Sequence, residues 1–200
     1  MQSYWKIVGL GMLLTASAGM GVAQPEGAGG EAGEAATDSA AGTYETLEDG
    51  SLLIEGRIKV LGKGTKEKPY VVDWGVLTSA MRIYEPRKNK TEMPAWAEVF
   101  EGKRVRLTGY LLLPMTGTGS DELLVMQNQW DGCCIGVPPT PYDAVEVRLT
   151  ESLDTSRGAP GFGSIEGTFK TDPYIVSGWL LGLYLLEDAQ MVRRTGGDGS

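Results

Sequence analysis

The sequence predicts a mainly β domain of the α+β class. Short runs in which apolar and polar residues alternate dominate the chain after residue 102, and this period of two is typical of half-buried strands. Helical spacing of apolar residues is confined to the segment between the first such run and residue 102. Glycines inside the predicted strands, at Gly56, Gly109, Gly167 and Gly182, suit sharp coiling or bulges. Together these features favour a small antiparallel barrel of the oligonucleotide/oligosaccharide-binding (OB) type, with a helical insertion after the first strand.

The first predicted strand covers residues 52–61, where apolar residues alternate with charged ones. A glycine-containing turn at 62–65 ends this strand. Asp73 then caps a helix whose apolar residues follow the spacing of one helical face: Trp74, Leu77, Met81 and Tyr84. Pro94 opens a second short helix over residues 95–101.

Strand patterns occupy the rest of the domain. They cover five runs: residues 104–113, 123–127, 145–149, 165–169 and 179–186. The last run is almost wholly apolar but is too short to cross a bilayer. We therefore expect it to be buried in the core.

The chain divides into four segments. Residues 1–23 read as a signal peptide, with Lys6 before an apolar run at 7–20 and a small-residue cleavage pattern at Gly21-Val22-Ala23; the alternative is an uncleaved anchor. Residues 24–46 are predicted to form a disordered acidic Gly/Ala linker, 47–194 a single OB-like domain, and 195–200 a disordered tail. This organisation predicts a periplasmic or secreted protein with no integral membrane domain after cleavage.

Composition excludes several classes of activity. The 200 residues carry 18 basic and 26 acidic side chains, a formal charge of −8, which argues against a nucleic-acid partner. The chain contains no histidine, so it has no Ser-His-Asp or Cys-His nucleophile pair and no imidazole metal cage. We expect a domain that is not an enzyme.

One segment suggests a specific chemistry, because it contains both cysteines, Cys133 and Cys134, next to Trp130 and Asp131. Consecutive α carbons lie about 3.8 Å apart, closer than ordinary disulfides prefer, so a ring between neighbours would be strained and easily reduced. Four interpretations remain open: a soft-metal site with Asp131 among the further ligands, a vicinal disulfide, pairing between two chains, and burial as small apolar side chains. Trp130 is a candidate ligand-facing ring, with core packing as its alternative.

Copper and zinc are the metals to consider for this cysteine pair. Cuprous copper needs few ligands and accepts soft sulfur. A structural zinc site needs four protein ligands, whereas this chain offers two sulfurs and no imidazole.

The order of several motifs resembles a bacterial exported family, domain-of-unknown-function family 3299. The motifs are Trp74-x-x-Leu77, Gly102-Lys103-x-Val105-x-Leu107-x-Gly109-Tyr110, Leu113-Pro114, Cys133-Cys134-x-Gly136-x-Pro138-Pro139, Val145-x-Val147 and Gly167-Thr168. The resemblance covers most of residues 70–190. It implies a small periplasmic β-rich domain, associated with metal-handling or transporter-linked proteins, and no established activity or catalytic residues.

The sequence thus predicts an exported, non-enzymatic binding or accessory domain that binds a soft metal through Cys133 and Cys134. Its partner would be a periplasmic protein or a transporter component. Two alternatives stand beside this prediction: a periplasmic thiol-disulfide protein that cycles a vicinal disulfide, and a purely structural scaffold.

Overall fold

Strands make up most of the described chain. The computed structural model describes residues 41–113, 120–130, 136–153 and 161–192. The elements, in order, are β1 (Tyr44–Thr46), β2 (Leu52–Ile54), β3 (Ile58–Val60), β4 (Tyr70–Val71), α1 (Trp74–Ser79), α2 (Ala95–Phe100), β5 (Arg104–Leu112), β6 (Ser120–Met126), β7 (Ala144–Leu153), β8 (Phe162–Val176) and β9 (Trp179–Met191). Two 3-10 turns, Ala80–Arg82 and Pro86–Lys88, lie between the helices.

Strands β5 to β9 close into a five-stranded barrel. Their order is β5-β6-β7-β9-β8, and β8 pairs back onto β5 from Arg104↔Thr168 to Tyr110↔Phe162. Strands β7 and β9 run parallel, whereas the other four neighbours in the ring run antiparallel. The mainly β barrel is confirmed, whereas its predicted antiparallel character is not, because the ring is mixed and contains one parallel pair. A closed ring with an odd number of strands must contain at least one parallel pair.

The predicted first strand, residues 52–61, is a hairpin. Its arms are β2 and β3, and the chain reverses at Glu55 and Gly56, whose φ angles are 52° and 67°. Two consecutive residues with positive φ make the tight turn that suits a hairpin. With β1 these arms form a separate three-stranded sheet, so the helical segment precedes the barrel instead of being inserted after its first strand. β1 itself occupies the last three residues of the segment predicted as linker.

The capped helix predicted after Asp73 is present but short. The Asp73 carboxylate accepts a hydrogen bond from the Gly75 amide at 2.7 Å, and α1 passes into a 3-10 turn after Ser79. Because the tighter 3-10 turn rotates the following side chains, the predicted apolar face is not continuous: Leu77 is buried and Met81 is 49% exposed. The second predicted helix is confirmed as α2. Within the described ranges, no helix combines the length and apolar character that crossing a membrane requires.

Glu55 ties the small sheet to the helical segment. Its carboxylate accepts hydrogen bonds from the Gly42 amide at 3.0 Å and from the guanidinium groups of Arg57 and Arg82. Partial burial opposes ionisation, but these donors outweigh it and hold the pKa of Glu55 below its ordinary value. The hairpin turn is therefore fixed by charged hydrogen bonds as well as by its backbone.

A cluster of aromatic rings joins the helical segment to the barrel. Phe100 of α2 packs against Phe169 of β8 with ring centroids 5.8 Å apart, and Trp96 lies 6.4 Å from Tyr184 of β9. The Tyr184 hydroxyl donates to the Leu77 carbonyl of α1 at 2.9 Å. Burial raises the pKa of Tyr184 well above its ordinary value, so this side chain stays a neutral donor.

We predict that Tyr184→Phe destabilises the protein by about 1 kcal/mol, because the buried Leu77 carbonyl loses a hydrogen bond that water cannot replace. The measurement is the free energy of unfolding in urea. Tyr110→Phe is the matched control: the Tyr110 ring contacts Phe162, and its hydroxyl makes no hydrogen bond within the described ranges. Equal losses in the two variants would contradict this role of Tyr184.

Candidate functional site

A cleft of about 430 Å³ opens where the β6–β7 connection meets the β8–β9 hairpin. It combines residues from four strands, β6 to β9, with residues from a proline-rich segment. Its lining residues are Leu124, Trp130, Pro138, Pro139, Thr140, Pro141, Ala144, Glu146, Tyr174, Leu180, Leu181, Gly182 and Tyr184. The closure of the barrel brings these residues together, because β7 and β9 are neighbours in space but not in sequence.

The cleft is largely apolar, and Glu146 has the one charged side chain among the lining residues that the structure describes. Aromatic surface comes from Trp130 and from the tyrosines of β8 and β9. Gly182 leaves room for the carboxylate: a Cβ at this position would lie 3.0 Å from Oε1 of Glu146. The absence of a side chain at Gly182 therefore keeps this part of the cleft open.

Trp130 is held in the cleft wall by a backbone pairing. It forms an isolated antiparallel bridge with Gly136, and the Val137 amide donates to the Gln129 carbonyl at 3.2 Å. Gly136 has a φ of +92°, and a Cβ on it would lie 1.7 Å from the Gln129 oxygen. Only glycine fits such a close approach with a left-handed backbone.

Two hydrogen bonds hold the segment between Gly136 and β7 in place. The Thr140 amide donates to the Asp143 carboxylate at 2.5 Å, which forms a tight turn before β7. The buried Tyr142 hydroxyl donates to the Tyr84 carbonyl at 2.7 Å, beyond the first 3-10 turn. Burial raises the pKa of Tyr142. This wall of the cleft is thus anchored to the helical segment.

The predicted site residues have different outcomes. Trp130 lines the cleft, and its role as a ligand-facing ring stays a prediction. Asp131, Cys133 and Cys134 lie outside the described residues, so soft-metal binding stays a prediction. In the ranges that the structure describes, no group of three or more histidine, cysteine, aspartate or glutamate residues could hold a metal ion.

Several residues of the cleft could not be recognised from the sequence. The run at 179–186 predicted a buried strand, and Leu183, Tyr184, Leu185 and Leu186 are indeed buried. Leu180 and Leu181, in the same run, line the cleft instead. Glu146 belongs to an ordinary alternating strand pattern and gave no sign of facing a cavity. The glycine at 182 and the pair Pro138-Pro139 were the only local hints of irregular structure.

We predict that Gly136→Ala destabilises the protein by about 2 kcal/mol, because the new methyl group collides with the Gln129 carbonyl and strains a left-handed backbone. The free energy of unfolding measures the loss, and faster hydrogen exchange of the Val137 amide locates it. Gly161→Ala is the control, since a Cβ there meets no atom within 4 Å. Unchanged exchange at Val137 would contradict the pairing described above.

Neither the protein-family models nor the curated proteins give a match to the chain. Among solved structures, the chain is similar to the crystal structure of a DUF3299 family protein from Pseudomonas aeruginosa PAO1. The similarity has 22% sequence identity and a TM-score of 0.35, and it covers 49% of this chain and 66% of the other, just under two thirds. That protein carries the same family name as the one that the Cys133-Cys134 motif and its neighbours resemble.

Proposed function

We propose that this protein is an exported, non-enzymatic binding or accessory domain whose ligand occupies the cleft beside Trp130. The observation that carries the proposal is the cleft itself. Its volume of about 430 Å³ lies in the range of small-molecule sites, roughly 300–1,000 Å³. Its apolar and aromatic lining, with Glu146 as the one carboxylate in the described part of the lining, suits a compact, mostly apolar ligand.

We further propose that the barrel is of the OB type. Its five strands follow the ring order first, second, third, fifth and fourth, and the third and fifth strands run parallel. Barrels of this type bind ligands on their faces and through their loops. The cleft fits this mode, since it lies between one inter-strand connection and one hairpin.

Binding without catalysis is favoured by the chemistry of the cleft lining. General acid–base catalysis needs positioned groups that exchange protons with a substrate. Among the described residues that line the cleft, Glu146 is the one carboxylate, and it is surrounded by proline, leucine and aromatic side chains. The apolar leader at residues 7–20 supports export, so the partner would be a periplasmic protein or a transporter component.

We predict that Gly182→Leu reduces binding of the apolar dye Nile red at least tenfold, because the new side chain fills the cleft next to Glu146. Dye fluorescence is titrated against the folded protein. The matched control is Gly161→Leu, which introduces the same side chain into open space.

Wild-type protein that fails to bind the dye, or equal affinity in both variants, would contradict the cleft as the ligand site. Circular dichroism verifies that each variant is folded before the titration.

We propose in addition that Cys133 and Cys134 bind a soft metal, copper rather than zinc. The Trp130–Gly136 bridge supports this proposal because it brings together the two ends of the five-residue segment that contains both thiols. Two thiolates from one short segment suit cuprous copper, which accepts few and soft ligands.

We predict that the protein recovered from the periplasm contains copper and that the Cys133→Ser/Cys134→Ser variant does not. Metal analysis of both proteins is the measurement, and thiol titration of the native and unfolded states, with and without reductant, accompanies it. Equal metal content in the two proteins would contradict the metal site. A reducible bridge with no metal would favour the thiol-disulfide alternative, and two buried free thiols with no metal would favour the scaffold.

A further inference from the structure

The tip of the β8–β9 hairpin carries exposed apolar side chains. Ile175 is 43% exposed, Trp179 55% and Leu181 40%. Between the strands, Ser177 and Gly178 form a tight turn with φ angles of 49° and 80°. Large apolar side chains grouped on a projecting turn are typical of an interaction site, whereas single exposed ones are ordinary.

A basic turn packs directly against this tip. The guanidinium carbon of Arg87, in the 3-10 turn Pro86–Lys88, lies 3.8 Å from the centre of the Trp179 ring. This is a cation–π contact, and it joins positive charge and indole into one surface. We call Arg87, Lys88, Lys90, Ile175, Trp179 and Leu181 the tip surface.

The charges of the tip surface are only partly compensated. The Lys88 ammonium forms an ion pair with Glu85 at 3.0 Å. The Lys90 ammonium donates to the Arg82 carbonyl at 3.4 Å. Neither Arg87 nor Lys90 has a carboxylate within ion-pair distance in the part of the chain that the structure describes. Two positive charges therefore face solvent on the segment that contacts the exposed tryptophan through Arg87.

We propose that the tip surface docks the protein onto an anionic phospholipid surface. Tryptophan prefers the headgroup level of a bilayer, because its ring is apolar and its N–H is polar. Aliphatic side chains such as Ile175 and Leu181 bury themselves at the boundary with the acyl chains, and Arg87 and Lys90 meet lipid phosphates. This inference does not depend on the ligand of the cleft.

The charge of the whole chain makes the docking directional. A protein with a formal charge of −8 is repelled by an anionic membrane when an acidic face approaches. Since the screening length is about 8 Å at physiological ionic strength, only charges close to the membrane act on it. The tip surface brings positive charge within that distance, so the hairpin tip points towards the lipid.

The test is cosedimentation of the exported, processed chain with vesicles of phosphatidylglycerol and phosphatidylcholine, compared with pure phosphatidylcholine. Mass spectrometry verifies removal of the apolar leader. We expect binding to the anionic vesicles only, weakened by salt. Arg87→Gln/Lys90→Gln should lower the partition coefficient about 30-fold, since each basic residue near the surface contributes about fivefold. Trp179→Ala and Ile175→Ser should each weaken binding in the same assay.

Two control variants remove the same kinds of side chain, basic and aromatic, at positions outside the tip surface. Lys66→Gln/Lys68→Gln removes two exposed charges from the loop between β3 and β4, and Phe162→Ala removes a 59% exposed aromatic side chain at the start of β8. We expect both to bind like the wild type.

Three results would overturn the proposal: no binding by the wild type, equal binding to neutral vesicles, or equal losses in the control variants. Sedimentation velocity without lipid measures the oligomeric state and so distinguishes lipid binding from self-association through the tip surface. If Trp179→Ala changes the oligomeric state and not vesicle binding, the tip surface is an interface between copies of this chain. If Trp179→Ala does not fold, the Arg87→Gln/Lys90→Gln variant still tests the proposal.

Discussion

Closure of the barrel between β5 and β8 is the constraint on which the rest of the structure depends. Seven consecutive pairs join these strands, although they lie about sixty residues apart in sequence. Because five strands form the ring, at least one neighbouring pair must be parallel, and here that pair is β7 and β9. That pairing brings the end of β8 and the beginning of β9 to the mouth where the β6–β7 connection lies. The cleft and the tip surface both follow from this single topological requirement.

The helical segment also helps to build the end of the barrel that carries the cleft and the tip surface. Two buried tyrosine hydroxyls bind its carbonyl groups, Tyr184 from the barrel and Tyr142 from the wall of the cleft. Both tyrosines have a raised pKa because burial disfavours the phenolate. The segment then presents the 3-10 turn that carries Arg87 over Trp179. Binding surface and scaffold are thus connected by a small number of buried hydrogen bonds.

Local patterns predicted the elements better than their arrangement. Asp73 as a helix cap, the helix after Pro94 and the alternation in β5 and β7 all depend on neighbouring residues, and each is confirmed. The hairpin at Glu55-Gly56 was missed because alternation continues through the three-residue connection between β2 and β3. The parallel β7–β9 pair and the cleft at Glu146 depend on contacts between distant residues, which periodicity does not report. Trp130, which lines the cleft, was singled out because it stands next to the two cysteines, which is a local signal.

Our main proposal is that the short segment closed by the Trp130–Gly136 bridge binds a soft metal through Cys133 and Cys134. An anomalous difference map at the sulfur positions, calculated from crystals of the exported protein, tests it most directly. We expect two adjacent sulfur peaks near the Trp130 ring, open to solvent and accompanied by a metal peak. Two sulfur peaks enclosed in packed hydrocarbon, far from the Trp130 ring and without a metal peak, would contradict it.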